Sequence, residues 1–226
     1  MKLQRPFLII IFFLVFQNLH AQPKWMVNVG GGFYEPTLTG FDSNTEMPKT
    51  DFMTSNVLYG FGLSYEFFHN ARVGLLNNYS WHSGSTILGT DFSRTIAYRA
   101  IVLETYFMFF RRFEMNFTLG PMINGGTIRL DASGTVNEWD TLLSSFGNNS
   151  IGIPSSEKMT TTWFGFTSMI GLRFYVFSWL ALDVRSGFMN NWYDEKKWKF
   201  QGETVTGPKL KLDELPLFTF RLFLTW

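Results

Sequence analysis

Few residues of this 226-residue chain have types and spacings that could support catalysis. The chain has no cysteine and three histidines, and one of these, His82, is followed closely by Ser83 and Ser85. A serine nucleophile needs a base within hydrogen-bond reach and a third group that orients the base. The nearest acid that could orient His82 is Asp91, across a loop. This spacing favours a polar residue at a loop mouth over a Ser-His-acid site, and we predict no catalytic residue.

Metal, cofactor and phosphate sites are not indicated either. The sequence contains no cysteine, no paired histidines and no acidic calcium-binding loop, which are the ligand spacings of common metal centres. Gly60 and Gly62 lie inside an alternating apolar segment rather than at a strand-to-helix turn, so they do not form a phosphate loop. The charged run Asp194–Lys199 could contact phosphate groups, but such runs are more often solvated loops. We therefore expect no cofactor and no metal.

Eight charged residues suit ion pairing better than catalysis. Four are acids and four are arginines: Glu66, Glu104, Glu114 and Asp183 against Arg72, Arg173, Arg185 and Arg221. Each lies on the polar parity of a segment whose alternate residues are apolar. Buried ions are tolerated when they are paired and hydrogen-bonded, so the equal numbers predict a salt-bridge network in an interior. Glu66, Arg72 and Glu114 could equally lie at a water-exposed rim.

The segments that carry these charges alternate with a period of two. In the last one, residues 215–226, one parity is wholly apolar: Phe218, Phe220, Leu222, Leu224 and Trp226. The other parity carries Arg221 and two threonines. This pattern predicts a strand with one apolar face. An edge strand of a soluble sandwich is the alternative interpretation.

Seven further segments follow the same pattern. They are Lys24–Thr37, Asn56–Phe67, Arg72–His82, Thr95–Phe109, Phe113–Ile128, Thr160–Val176 and Trp179–Met189. The connections after the first, third, fifth and seventh are long and polar, whereas those after the second, fourth and sixth are only a few residues. Up-and-down membrane barrels sort their connections in this way, and a soluble sandwich has no reason to. Pro121 removes a ladder donor from the fifth segment, so we expect a bulge there.

The amino terminus predicts a secretory signal peptide. A basic start precedes an apolar run over residues 7–16 and the small residue Ala21. The run is shorter than the roughly 20 residues that a membrane-spanning helix needs. We predict a signal peptide over residues 1–21 and a single domain over residues 22–226.

Charge and aromatic content agree with a membrane barrel. Loss of Lys2 and Arg5 with the signal peptide lowers the 19 basic residues to 17 against 18 acidic ones, a net charge of −1. That balance argues against a nucleic-acid partner, which needs a strongly basic face. Aromatic residues make up 19% of the chain. Six tryptophans lie near predicted strand ends, where interfacial aromatic belts occur: Trp25, Trp81, Trp163, Trp179, Trp192 and Trp226.

With its alternating segments, sorted loops and terminal run Leu222–Trp226, the chain resembles small bacterial outer-membrane β-barrels of the OmpA/OmpX type and the PorT-like "porin family" barrels. The resemblance implies an all-β fold, an eight-stranded antiparallel up-and-down transmembrane β-barrel with a plugged lumen. It implies that the final strand is a sorting signal read by the barrel-assembly machinery during insertion. It also implies a multi-pass protein in the outer membrane of a Gram-negative bacterium, in contact with outer-membrane lipid and lipopolysaccharide.

Three functions are compatible with this resemblance. The first is a non-enzymatic structural, adhesion or secretion-accessory protein with a protein partner in the outer membrane, because PorT-like proteins include secretion accessories. The second is a narrow passive pore for small solutes. The third, which we favour least, is a lipid A-modifying enzyme that uses His82 with Ser83 or Ser85 at the outer rim.

Overall fold

The computed structural model describes residues 24–34, 57–85, 90–130, 136–149, 158–210, 212 and 215–226. The predicted signal peptide, residues 1–21, lies outside these ranges, so its cleavage stays a prediction. Within the described residues, no helix has both the length and the apolar character needed to cross a bilayer.

Strands make up most of the described chain. In order, the elements are β1 (Trp25–Tyr34), β2 (Val57–Phe68), β3 (Ala71–Ser85), β4 (Asp91–Phe110), β5 (Phe113–Leu130), α1 (Val136–Ser145), β6 (Lys158–Phe177), β7 (Leu180–Trp192), a 3₁₀ turn (Glu195–Lys197), β8 (Trp198–Phe200), β9 (Glu203–Val205) and β10 (Leu215–Thr225). All eight predicted segments form strands, and their described bounds move by a few residues; residues 35–37 of the first segment and Asn56 of the second lie outside the described ranges.

The sheet closes on itself. Strands β1 to β7 each pair antiparallel with their neighbours in sequence, and β10 lies between β7 and β1. The short strands β8 and β9 form a hairpin that pairs with the first residues of β6, at the end of the barrel that carries the long loops. Eight strands therefore form an antiparallel up-and-down barrel, as predicted, and closure leaves no open edge in the barrel wall.

The outer surface of the barrel is apolar. Outward side chains such as Tyr59, Ile101 and Phe164 are 62%, 59% and 67% exposed, while their neighbours in sequence point into the barrel. Soluble monomers rarely expose apolar patches larger than a few hundred Å², whereas this surface is a continuous belt around the barrel. A hydrocarbon environment removes the cost of that exposure, so the belt identifies an integral membrane protein.

Two local predictions are wrong. Pro121 causes no bulge: the register of β5 with β4 and β6 is the same on both sides of it. The β4–β5 ladder instead omits two successive pairs, Pro121 with Ile101 and Gly120 with Val102, at the proline that has no N–H to donate. Trp163 does not join an interfacial belt. Its neighbour Phe164 faces lipid, so alternation turns Trp163 inward, where it is buried and its Nε1 donates to Asn191 Oδ1 at 3.1 Å.

The other five predicted belt tryptophans are exposed, at the end with short turns or at the end with long loops: Trp25, Trp81, Trp179, Trp192 and Trp226.

The long connections contain structure that the sequence did not indicate. Residues 136–149 and 193–210, which we call the outer cap, fold over the end of the barrel that carries the long loops. Their buried side chains form one cluster with the outer ends of β4, β5 and β6: Phe92, Ile128, Leu130, Trp139, Leu142, Leu143, Met159, Trp198, Phe200 and Val205. The outer cap therefore shares a hydrophobic core with the ends of three barrel strands.

Candidate functional site: an ionic layer across the lumen

The register of the strands places opposite charges next to each other inside the barrel. Across β2, β3 and β4, Arg72 pairs in register with Glu66 on one side and with Glu104 on the other. A second row runs through four strands from β10 to β5: Arg221, Asp183, Arg173 and Glu114. Neighbouring residues along each row have opposite sign, which is the arrangement that stabilises cross-strand pairs.

Glu114 joins the two rows. Its Oε1 accepts from Nη1 of Arg72 and from Nη1 of Arg173, each at 2.8 Å, and its Oε2 accepts from Nη2 of Arg72 at 2.9 Å. The hydroxyl of Tyr175 donates to the same Oε2 at 2.8 Å. Both carboxylate oxygens are thus occupied by two arginines and a tyrosine, which satisfies a charge that has no contact with water.

Glu104 contacts three arginines. Its Oε1 accepts from Arg72 Nη1 at 2.7 Å. Its Oε2 accepts from Arg173 Nη2 at 3.1 Å and from Arg185 Nη2 at 2.6 Å. Glu104 lies on β4 and these arginines lie on β3, β6 and β7, so the contacts cross the width of the lumen.

Asp183 completes the network on the far side. Its Oδ2 accepts from Arg173 Nε at 2.9 Å, and its Oδ1 accepts from Arg185 Nε at 2.6 Å. Neutral side chains satisfy further atoms: Asn116 Nδ2 donates to Asp183 Oδ2 at 3.1 Å, and Arg185 Nη1 donates to Thr118 Oγ1 at 2.7 Å. Charged and neutral partners together form one continuous hydrogen-bonded cluster.

These six charged residues form what we call the ionic layer: Arg72, Glu104, Glu114, Arg173, Asp183 and Arg185. Their side chains are between 0% and 6% exposed. The layer contains three acids and three bases, so its formal charge is zero. Burial of ions at this depth is tolerated because every charge in the layer has an opposite partner.

The two other predicted members lie at the edges of the layer. Glu66 is farther from Arg72, with Oε2 3.9 Å from Nε, and its Oε2 accepts from the hydroxyl of Tyr106 at 2.8 Å. Arg221 lies apart from the carboxylates: its guanidinium donates to the side-chain oxygens of Asn28 and Asn78. These neutral partners were not predicted, although all of them have inward parity, and all except Asn28 lie on strands that also carry inward charged residues.

Arg221 reaches across two strands because these carry glycines at the crossing point. Gly30 and Gly60 lie between Arg221 on β10 and Asn78 on β3 in one cross-strand row. A methyl group on Gly60 would collide with Asn78 Oδ1 and would lie 3.1 Å from Arg221 Nη2.

We expect Gly60→Ala to lower the free energy of unfolding by about 1–3 kcal/mol, because the added carbon overfills the lumen and displaces the partner of a buried arginine. Urea unfolding in detergent micelles, followed by tryptophan fluorescence, measures the change. Gly125→Ala is the matched control, since the nearest atom to its added carbon is 3.6 Å away. Equal effects of the two substitutions would contradict the explanation.

Apolar side chains lie on both sides of the ionic layer. Towards the short turns, Met26, Met108, Tyr175, Ala181 and Phe223 form a small cluster. Towards the long loops lies a larger one: Tyr34, Leu58, Leu76, Ile96, Tyr98, Ala100, Val102, Met122, Trp163, Met169, Met189, Leu212 and Leu217. The lumen of the described barrel is therefore filled at three levels.

Comparison with solved structures identifies the fold. The structure of a major outer membrane protein from Thermus thermophilus aligns with this chain with a TM-score of 0.50 and 11% sequence identity. The alignment covers 92% of this chain and 100% of the Thermus chain. The fold is that of an outer-membrane β-barrel. For Neisserial surface protein A, the alignment covers 89% of this chain and 96% of that protein's chain, with 10% sequence identity and a TM-score of 0.46. For Ail, the attachment invasion locus protein of Yersinia pestis, the alignment covers 90% of this chain and 97% of the Ail chain, with 11% sequence identity and a TM-score of 0.45.

No protein-family model matches the chain, and no curated protein sequence does. Barrels with this strand topology and an apolar belt belong to the outer membrane of Gram-negative bacteria, with short turns in the periplasm and long loops outside. The ionic layer accordingly lies in the periplasmic half of the barrel, and the outer cap lies on the extracellular side.

The structure separates the residues of the catalytic hypothesis. His82 points into the outer-membrane barrel, where it is buried and its ring lies 5.8 Å from that of Phe92. Ser83 and Ser85 are exposed on the opposite face of the same strand. Ser85 Oγ does lie close to the predicted acid, donating to Asp91 Oδ1 at 2.8 Å. Successive side chains of a strand point to opposite faces, so His82 cannot act as the base for Ser83 or Ser85 here.

The structure also locates the side chains that could bind a metal ion and the charged run Asp194–Lys199. In the part of the chain that the structure covers, His, Cys, Asp and Glu side chains form no group of three that could hold a metal ion. The run Asp194–Lys199 contains a 3₁₀ turn capped by Asp194, whose Oδ2 lies 3.6 Å from Lys197 Nζ. The lysines of this run are exposed to solvent, as expected of a charged run, while Trp198 is buried and makes the segment a folded part of the outer cap.

Proposed function

We propose that this protein is a closed, non-enzymatic outer-membrane barrel whose function is carried by its folded outer cap, in a structural, adhesion or secretion-accessory role. The observation that supports this proposal is the filling of the lumen. A pore needs a continuous aqueous path, and here an ionic layer and two apolar clusters lie in series along the axis. What remains for interaction with other molecules is the outer surface.

Hydrogen bonds between its segments hold the outer cap in one folded arrangement. Trp198 Nε1 donates to the hydroxyl of Tyr193 at 2.7 Å, and that hydroxyl donates to the carbonyl of Pro208 at 2.6 Å. Burial raises the pKa of Tyr193, so its hydroxyl keeps the proton that it donates. Asn148 after α1 exchanges two hydrogen bonds with the backbone of Thr206, at 2.7 and 2.8 Å. These contacts join two connections that are distant in sequence.

The cap is also anchored in the lumen. Leu212 follows the cap and belongs to the larger apolar cluster of the barrel interior. Its carbonyl accepts a hydrogen bond from Asn191 Nδ2 at 2.9 Å. A surface fixed in this way loses little conformational entropy when a partner binds, which favours a recognition role in adhesion or assembly.

Planar-bilayer recording tests the proposal. We expect no steady conductance from the purified full-length protein, because ions cannot cross the buried network without breaking its pairs. Insertion must be shown independently, by the shift in electrophoretic mobility on heating that folded barrels give and by protection from protease. Leu212→Ala should also remain closed, since the ionic layer lies below that residue. A steady conductance in the unmodified protein would establish the passive pore instead.

The enzymatic alternative has a separate test. Mass spectrometry of lipid A from cells with and without the protein should show the same acyl and phosphate pattern. A change that disappears in His82→Ala, with the protein still folded in the membrane, would overturn the non-enzymatic part of the proposal.

A further inference from the structure

The charged side chains that are exposed at the periplasmic rim are all basic. The exposed ionisable side chains there are Lys24, His69, Arg111 and Arg112. Among the described residues of this rim no acidic side chain is exposed, since Glu66 is largely covered and bound to Tyr106. The outer cap differs, because its exposed lysines are interspersed with acids such as Asp194 and Glu203.

Two of these side chains, both arginines, are adjacent at the tip of one turn. Arg111 and Arg112 connect β4 to β5, and both are exposed. The turn is held against the next hairpin, because the carbonyl of Arg112 accepts from the backbone N–H of Tyr175 at 2.8 Å. The two guanidinium groups are therefore attached to a backbone that is fixed at the membrane surface.

A cluster of phenylalanines surrounds the base of this turn. Phe109, Phe110 and Phe113 have ring centroids between 5.3 and 6.2 Å apart, and Phe113 lies 4.8 Å from Phe174. Phe110 is 61% exposed and Phe113 is 41% exposed. Aromatic rings in this position occupy the boundary between hydrocarbon and head groups, which sets the depth of the turn in the leaflet.

We propose that the Arg111–Arg112 turn and its phenylalanine cluster form a binding site for an anionic glycerophospholipid of the inner leaflet. The guanidinium groups bind the phosphate, because their planar forks match its oxygens. The acyl chains pack on the exposed rings. The anionic head group also experiences the excess positive charge of the whole rim.

Native mass spectrometry of the full-length protein in detergent tests the site. Phosphatidylglycerol is titrated against phosphatidylcholine of the same acyl chains. We expect the unmodified protein to bind phosphatidylglycerol more tightly, and the double variant R111Q/R112Q to bind it about thirty-fold more weakly while its affinity for phosphatidylcholine changes little. R111K/R112K should bind with intermediate affinity, because charge remains but the planar fork is lost.

The matched control is K196Q/K197Q, which removes two exposed cations from the outer cap at the other end of the barrel. It has the same net charge as R111Q/R112Q, and we expect it to bind as the unmodified protein does. An equal loss in both variants would reduce the effect to net charge and overturn the site. So would equal affinity of the unmodified protein for the two lipids, or displacement of phosphatidylglycerol by equimolar inorganic phosphate. Folding of each variant is checked by its heat-dependent electrophoretic mobility.

Discussion

Glu114→Gln should lower the free energy of unfolding by about 3–5 kcal/mol, the effect typical of removing one partner from a buried ion pair. Glu114 is fully buried, and its two oxygens accept from Arg72, Arg173 and Tyr175. Glutamine has nearly the same volume, but its amide nitrogen is a donor that would face donors. The buried guanidinium groups of Arg72 and Arg173 would also lose the negative charge of the carboxylate that they both contact. Urea unfolding in micelles measures the loss.

The control for this prediction is Glu66→Gln. Glu66 occupies the same face on β2, but its side chain is 13% exposed and its oxygen lies 3.9 Å from Arg72 Nε. Pairs that water can reach contribute about 0–1 kcal/mol, so the expected change is several-fold smaller. If both variants lost the same stability, the ionic layer would contribute no more than a rim contact, and the closed-lumen proposal would lose its main support.

Trp198→Ala should release the outer cap while the barrel stays folded. Trp198 is 2% exposed and is among the largest fully buried side chains of the described protein. Gly126 on β5 and Gly207 in the cap leave room for its indole, since a carbon atom added to either would contact the ring at 3.0 Å or less. Truncation of a buried tryptophan to alanine costs about 3–5 kcal/mol. We expect the cost to fall on the cap, because Trp198 packs the cap against barrel strands such as β5, whereas the barrel wall keeps its own backbone ladders.

Hydrogen exchange with mass spectrometry measures this effect by segment. Amides of residues 141–149 and 203–207 should lose protection, whereas those of β2 and β3 should keep it. Trp192→Ala is the matched control, because that tryptophan is close in sequence but 65% exposed at the membrane boundary. It should leave cap protection unchanged. Uniform loss of protection along the chain in Trp198→Ala would show that the cap is not a separate unit.

Together these variants separate two roles. The Glu114 variant weakens the closure of the lumen, and the Trp198 variant weakens the outer cap. If the cap carries the function, binding at the cell surface should fail in Trp198→Ala while the barrel still reaches the membrane. The role of the final strand in sorting, carried by residues such as Phe220 and Trp226, stays a prediction that neither variant tests.

The sequence by itself determined which side chains face the membrane and which face the lumen. Alternation is a local property of an extended chain, so Tyr59 and Glu104 could be assigned to opposite faces without knowledge of their neighbours. The sorted lengths of the connections then indicated the up-and-down order of the strands. The same local rule, applied strictly to Trp163 beside Phe164, would have placed that tryptophan inside the barrel.

The tertiary structure alone decided which of the inward charges meet. Parity says that Arg173 and Asp183 point inward, but their contact depends on the register of β6 with β7, which joins strands of independent sequence. Arg221 also points inward, but it contacts asparagines rather than carboxylates, because glycines on two neighbouring strands leave room for its side chain in that direction. The outer cap was missed for the same reason. Helix α1 is only 10 residues long and lies in a polar connection, and a helix so short depends on packing by residues such as Trp139 against distant strands.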